Sequence, residues 1–338
     1  MKGVEMAEQE LRKVLYDTMH DLMSAHDDIV IVGADLNKSD GFYDLRNDFP
    51  DRILNVGIAE QNMACVAAGM ASYGMTPFIN TFCVFASRRI CDQIAISISY
   101  AERNVKIIGT DPGIASEQNG GTHTALEDIG VLRSIPNMVI VEPADSIELR
   151  QMVRAIYEYK GPVYMRLYRK IIDDVHDDQY DYELGKADII KEGSDITIIS
   201  SGIMTIEAVR AAEQLMDMHG IDAEVINMHT IKPIDAESIV RSARKTGVIV
   251  TAENHNVIGG LRSAVAEVIT ELFPVHIFPV GINNIKGEVG LLSELRERFK
   301  LRSCDIVETA KLAMNHKIEK CGIGDNNQLF ARESGIIS

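Results

Sequence analysis

Short, mainly apolar runs punctuate the first half of the chain: Asp28–Gly33 (DIVIVG), Val105–Thr110 (VKIIGT), Asn137–Pro143 (NMVIVEP) and Pro162–Leu167 (PVYMRL). Runs of this kind predict strands covered on both faces, as in a parallel sheet. The stretches between them have helical character. Ser146–Tyr157 carries apolar positions at helical spacing, and Ile58–Ser72 (IAEQNMACVAAGMAS) is rich in small residues that allow close packing. The alternation breaks at 171–183 (IIDDVHDDQYDYE), where six acids occur without a Lys or Arg, a composition suited to a solvated connector. It resumes with DITIISS (195–201), a helix near 205–218, DAEVINM (222–228), GVIVTAE (247–253), a helix from about 260 and VHIFPVG (275–281). The pattern predicts an α/β protein of two doubly wound sheets: a first domain over 1–170, an acidic linker over 171–193, a smaller second domain over 194–317 and a tail over 318–338.

Composition narrows the function classes. The 338 residues suffice for two domains, and no apolar stretch approaches the roughly 20 residues of a membrane span. A net charge of −16 repels phosphate backbones, which argues against nucleic acid as a partner. The charged start MKGVEMAEQELRK lacks the apolar core of a secretory signal, so a cytoplasmic protein is expected. The five cysteines contain no CxxC pair and read as reduced, mostly packed thiols. The nine histidines show no HExxH spacing, and no protein-ligated metal is expected.

In open α/β sheets ligands bind outside the carboxyl ends of strands, and five segments there have unusual chemistry. Glu60 is an acid opening a helix of small residues. It is either a first-turn glutamate favoured by the helix dipole or a carboxyl kept from water to share a proton with a heterocycle. Phe82 and Phe85, in TFCVF, are either core residues or a platform for a flat ligand. The loop DPGIASEQNGGTH (111–123) is polar and glycine-rich and ends in His123, which makes it either a capped turn or a proton-exchanging site. Arg166 and Arg169 in RLYRK form a plausible fork for an anion, although basic residues after a strand are also ordinary. The segment GADLNKS (33–39), with Asp35 and Ser39, is by itself only a turn. No GxxxxGKS/T, GxGxxG or GxSxG motif follows a strand, which argues against ATPases, nicotinamide enzymes and α/β-hydrolases.

In this order the segments GADLNKS, VGIAEQNM (56–63), TFCVFASR (81–88), GTH (121–123), RSIPNMVIVEPAD (133–145), KPID (232–235), ENH (253–255) and GGLRSAVAE (259–267) resemble the pyrimidine-binding and C-terminal domains of transketolases over about residues 10–315. The resemblance implies thiamine diphosphate as cofactor. It implies that Glu60 holds the aminopyrimidine ring nitrogen and that Phe82 and Phe85 pack around the ring, with Arg88 at a third, normally aromatic, position. His123 falls on a histidine that contacts the sugar donor, and Arg169 and Ser39 on sugar-phosphate contacts; Asp35 shares the Ser39 loop, and Arg166 with Arg169 resembles the arginine pair of 1-deoxyxylulose-5-phosphate synthases. Asp111 and Asn119 stand where transketolases carry a histidine and an aspartate, so the sugar can differ.

The GDG…N motif by which full-length transketolases bind diphosphate and magnesium is missing; the nearest string, GIGDNN (322–327), lacks its second glycine. The resemblance therefore implies a split enzyme. This chain would be the small subunit, and an N-terminal subunit carrying the diphosphate and Mg2+ motif would complete an α2β2 assembly acting on sugar phosphates. A 1-deoxyxylulose-5-phosphate synthase-like enzyme, the beta subunit of a 2-oxo-acid dehydrogenase and a non-catalytic pairing subunit are the alternatives.

Overall fold

The structure, a computed structural model, describes residues 9–322. Its strands are β1 (Ile29–Gly33), β2 (Ile53–Asn55), β3 (Thr76–Phe82), β4 (Lys106–Thr110), β5 (Val139–Val141), β6 (Val163–Leu167), β7 (Asp188–Lys191), β8 (Ile196–Ser200), β9 (Ala223–Asn227), β10 (Thr230–Lys232), β11 (Val248–Asn256) and β12 (His276–Ile282). They form a seven-stranded sheet ordered β10-β5-β6-β4-β3-β1-β2 and a five-stranded sheet ordered β12-β11-β8-β9-β7. The two antiparallel pairings are at edges, β10 on β5 and β7 on β9. As the apolar runs require, β1, β4 and β6 are buried along their whole length.

Helices cover both faces of the first sheet. On one side α1 (Leu11–Ala25) packs with residues of the later helix Ser146–Glu158. The chain continues through the short α2 (Asn37–Asp40), α3 (Glu60–Ser72), α4 (Asp128–Arg133) and α5 (Ser146–Glu158). On the other face α3 lies with two π-helical segments, Phe85–Arg89 and Gln93–Tyr100. The second sheet is wrapped by α6 (Met204–His219), α7 (Ala236–Thr246), α8 (Leu261–Leu272), α9 (Leu292–Arg298) and α10 (Ser303–Gly322). Among the described residues no helix is long and apolar enough to cross a membrane.

The structure departs from the sequence pattern in four places. Strand β3 lies inside the first sheet, between β4 and β1, although Pro77, Asn80 and Thr81 interrupt its apolar run. Asn80 finds a partner inside, where its Nδ2 donates to Asp40 Oδ2 at 2.9 Å. Strand β10, from the second half of the chain, completes the first sheet, so the two sheets are tied together by backbone. The acidic segment 171–193 is docked rather than solvated. His176 is buried between Asp145 at 2.7 Å and Asp188 at 3.2 Å, Tyr180 donates to Glu148 at 2.7 Å, and β7 forms the second sheet's edge. Burial opposes a charge on His176, but its hydrogen bonds to Asp145 and Asp188 prevail and push its pKa up to about 10. Lastly, only some thiols are packed: Cys83 is buried, but Cys65 and Cys304 are exposed. Of the expected tail over 318–338, residues 318–322 continue α10, and the rest, with GIGDNN after its first glycine, lies outside the described residues.

Candidate active site

In the first sheet β1 is flanked by β2 on one side and β3 on the other, so a crevice opens outside the carboxyl ends of these strands. Strand β3 ends at Phe82, and a wide π-helical turn opens at Phe85. The two rings lie 6.0 Å apart, and His123 stands edge-on to both, at 5.8 and 5.3 Å. Glu60 begins α3 with its side chain only 5% exposed, and its Oε1 accepts from Arg89 Nη1 at 2.7 Å. The Arg89 guanidinium also lies 4.0 Å from the centre of the Phe85 ring. Beside it is a cleft of about 240 Å³ lined by Val84, Phe85, Arg88, Arg89 and Thr122. Arg88 turns outward to Glu127, at 2.8 Å.

Behind Phe82 lies a second polar group. The Arg169 guanidinium is 5.2 Å from the Phe82 ring centre. It donates to both carboxylate oxygens of Asp111, with Nε at 2.8 Å from Oδ1, and its Nη1 donates to the Ser39 carbonyl at 2.8 Å. Burial raises the pKa of Asp111 while Arg169 pulls it down. Asp40, fully buried next to this pair, is pushed up to about 6 by burial against hydrogen bonding from Asn80 and the charge of Arg169. Asp111 thus offsets the charge of Arg169, and Ser39 contributes its backbone rather than its hydroxyl.

Three expected site residues are not part of this cluster. Asp35 is exposed, exchanges hydrogen bonds with Asn55 and lines a separate pocket of about 340 Å³ with Lys38 and Arg46. Asn119 is exposed at the end of the short 3-10 turn Ile114–Asn119. Arg166, expected beside Arg169 as an anion fork, is 0% exposed. It donates to Asp128, to Glu142 Oε1 at 2.6 Å and to the Asn254 carbonyl at 3.1 Å, so the substrate fork is corrected to an internal ion-pair hub. The reason is register. Strand β6 runs to Leu167, which leaves Arg166 inside the sheet and Arg169 beyond it.

Comparison with known proteins places this geometry. Residues 7–173 match the family described as "Transketolase, pyrimidine binding domain", and residues 185–306 match "Transketolase, C-terminal domain". The chain belongs to the transketolase family. It is 46% identical over 307 residues to the 6-deoxy-6-sulfo-D-fructose transketolase subunit SqwH of Clostridium sp. (strain MSTE9), covering 91% of this chain and 95% of that one. It is 36% identical over 300 residues to an apulose-4-phosphate transketolase subunit of Phocaeicola vulgatus, covering 88% and 96%. Among solved structures, the one described as "Split gene transketolase, inactive beta4 tetramer" superposes with a TM-score of 0.83 at 41% identity, covering 90% of this chain and 98% of that one. The transketolase of Campylobacter jejuni shares the fold, with a TM-score of 0.76 at 20% identity, and this chain spans 47% of its length.

Sequence reasoning overlooked Arg89. It singled out the neighbouring Arg88, but Arg89 is the residue that bridges Phe85 and Glu60. Only the π-helical turn, which carries both Phe85 and Arg89, could have revealed it. Among the described residues, no group of three or more His, Cys, Asp or Glu side chains is arranged to hold a metal ion.

Proposed function

We propose that this chain is the pyrimidine-binding small subunit of a two-chain, thiamine diphosphate-dependent transketolase, which transfers a two-carbon ketol unit from a ketose phosphate to an aldose phosphate. The observation that carries the reading is the seat of the Arg89 guanidinium, a flat nitrogen-bearing group held between an aromatic face and a buried carboxylate. An aminopyrimidine needs the same two partners, so the residues present fit the cofactor. The cofactor would supply the electron sink for breaking and making the carbon–carbon bond.

The rest is the work of side chains. Glu60 would hold a proton at the pyrimidine nitrogen, while Phe82 and Phe85 pack against the ring and Arg88 stands at the rim. His123, edge-on to both rings, would hold or move a proton at a substrate hydroxyl. Asp111 and Arg169 would meet the sugar as a donor–acceptor pair, with the Ser39 carbonyl fixing the arginine and Asn119 at the outer edge. The named relatives use different ketoses, a sulfofructose and apulose 4-phosphate. Asp111, paired with Arg169 beside Phe82, is accordingly the residue to which we assign sugar choice.

A partner subunit carrying the GDG…N motif would hold magnesium and the diphosphate, in an α2β2 assembly. Supporting this is the near-complete overlap with subunit-length relatives, against about half of a single-chain enzyme. Calorimetric titration of thiamine diphosphate with magnesium into this chain, alone and mixed with such a partner, tests the proposal. Tight binding only in the mixture is the expected result. Tight binding by the isolated chain, or none in the mixture, would overturn the split site.

A further inference from the structure

The ENH segment at the end of β11 contributes nothing to the cluster of rings, yet it reaches the loop that carries His123. Asn254 is completely buried. Its Oδ1 accepts from the Ile114 amide at 3.0 Å, and its Nδ2 donates to the Pro112 carbonyl at 2.9 Å. One side-chain amide thus replaces a strand neighbour for the start of the loop. The fit allows no side chain at Gly113, which has a φ of +55° and where an added Cβ would come within 2.2 Å of Asn254 Oδ1. Gly113 in turn donates to the Ala125 carbonyl at 3.0 Å, closing the loop two residues after His123. The Asn256 amide donates to the Leu126 carbonyl at 2.8 Å, so the same segment grips the loop's far end. Arg166 fixes Asn254 from behind, through its carbonyl.

The loop needs such support. Besides Gly113 and Gly120, Asp111 and Glu117 adopt left-handed φ values of 56° and 47°, which L-residues adopt only when their surroundings impose them. We propose that Asn254 of the second domain is a positioning residue for His123: it sets the loop 111–126 and through it the imidazole over Phe82 and Phe85. This rests on the reading that His123 acts on the substrate. It gives the second domain a part in the reaction although none of its side chains is in the ring cluster.

Asn254→Asp is the informative variant, because it keeps the size and one acceptor but sets an oxygen against the Pro112 carbonyl. In the chain assembled with its partner, kcat should fall roughly ten- to hundred-fold, the scale of a misplaced catalytic group, while the Kd for thiamine diphosphate stays within about two-fold. Amide hydrogen exchange over 112–125 should accelerate more than over the rest of the chain. Asn254→Ser, which retains a hydroxyl to donate or accept, should recover part of the rate. Unchanged exchange over 112–125 would overturn the proposal, and so would a loss of cofactor binding and Tm in step with the rate. If exchange accelerates but kcat holds in both Asn254→Asp and His123→Ala, the role of His123 fails; if only His123→Ala is slow, the role of Asn254 fails.

Discussion

Each of the two sheets has a crevice where the strand order reverses, at β1 and β3 in the first and at β8 and β11 in the second, and the two have been put to opposite uses. The first is lined by Phe85, Arg88, Arg89 and His123, half-buried or exposed. The second is lined by Ser201, Glu253, Asn254 and His255, none more than 1% exposed. Glu142 of the first domain fills it, accepting from Ser201 at 2.8 Å and packing where a Cβ on Gly202, at a φ of +53°, would collide with its carboxyl. Burial pushes Glu253 up to about 8 against the amides of Arg262 and Leu261, and pushes His255 down to about 4 against the pull of Asp128. Polar side chains at strand ends thus stay open to a ligand in the first sheet, whereas in the second they form the joint between domains.

The sharpest way to break this comparison is to remove one charge from the open crevice and one from the buried ion pairs behind the joint. Glu60→Gln should lower turnover by about 10² to 10⁴-fold, the range for loss of a positioned acid–base group, with folding and assembly intact. Normal turnover would remove Glu60 from the chemistry. Arg166→Met should instead act on stability, costing roughly 3–5 kcal/mol in denaturant unfolding, because it leaves the carboxylates of Asp128 and Glu142 buried without the cation that pairs them. A raised KM for substrate with unaltered stability would restore Arg166 to the substrate site.

Arg89→Met tests whether the guanidinium competes for the pyrimidine seat. Ion pairing and ring stacking at a half-exposed site are each worth up to about 1 kcal/mol, so removing both should tighten thiamine diphosphate binding roughly three- to ten-fold by calorimetry. Weaker binding would make Arg89 a ligand contact instead. The last effect varies with pH and belongs to the docked segment 171–193. A histidine whose pKa rises from 6.5 unfolded to about 10 folded lends its full stabilisation below pH 6.5, loses it progressively as pH rises, and lends none above about 10. The Tm gap between the native chain and His176→Gln should accordingly be widest near pH 6.5 and close towards pH 10. A gap independent of pH would exclude the ion pairs as its source.

Much of this was legible before the structure. Strands β1, β4 and β6 announce themselves as short, mainly apolar runs, and Glu60 stands out as an acid among small residues. Strand β3 was hidden because Pro77, Asn80 and Thr81 disguise a central strand, and the partner that lets Asn80 sit inside it, Asp40, lies 40 positions away. Arg166 and Arg169 look alike in sequence, and only the end of β6 at Leu167 separates an internal ion pair from a site residue. Arg89 has no signature of its own, since its role depends on a guanidinium reaching a carboxylate 29 positions away.

The most direct measurement is hydrogen exchange of the assembled complex with and without thiamine diphosphate and magnesium, read separately at the two crevices. Slowed exchange over 57–64, 82–89 and 120–125, with residues 198–204 unchanged, is the expected result. Protection at 198–204 without protection around Glu60 and Phe85 would contradict the assignment of the open crevice as the cofactor site.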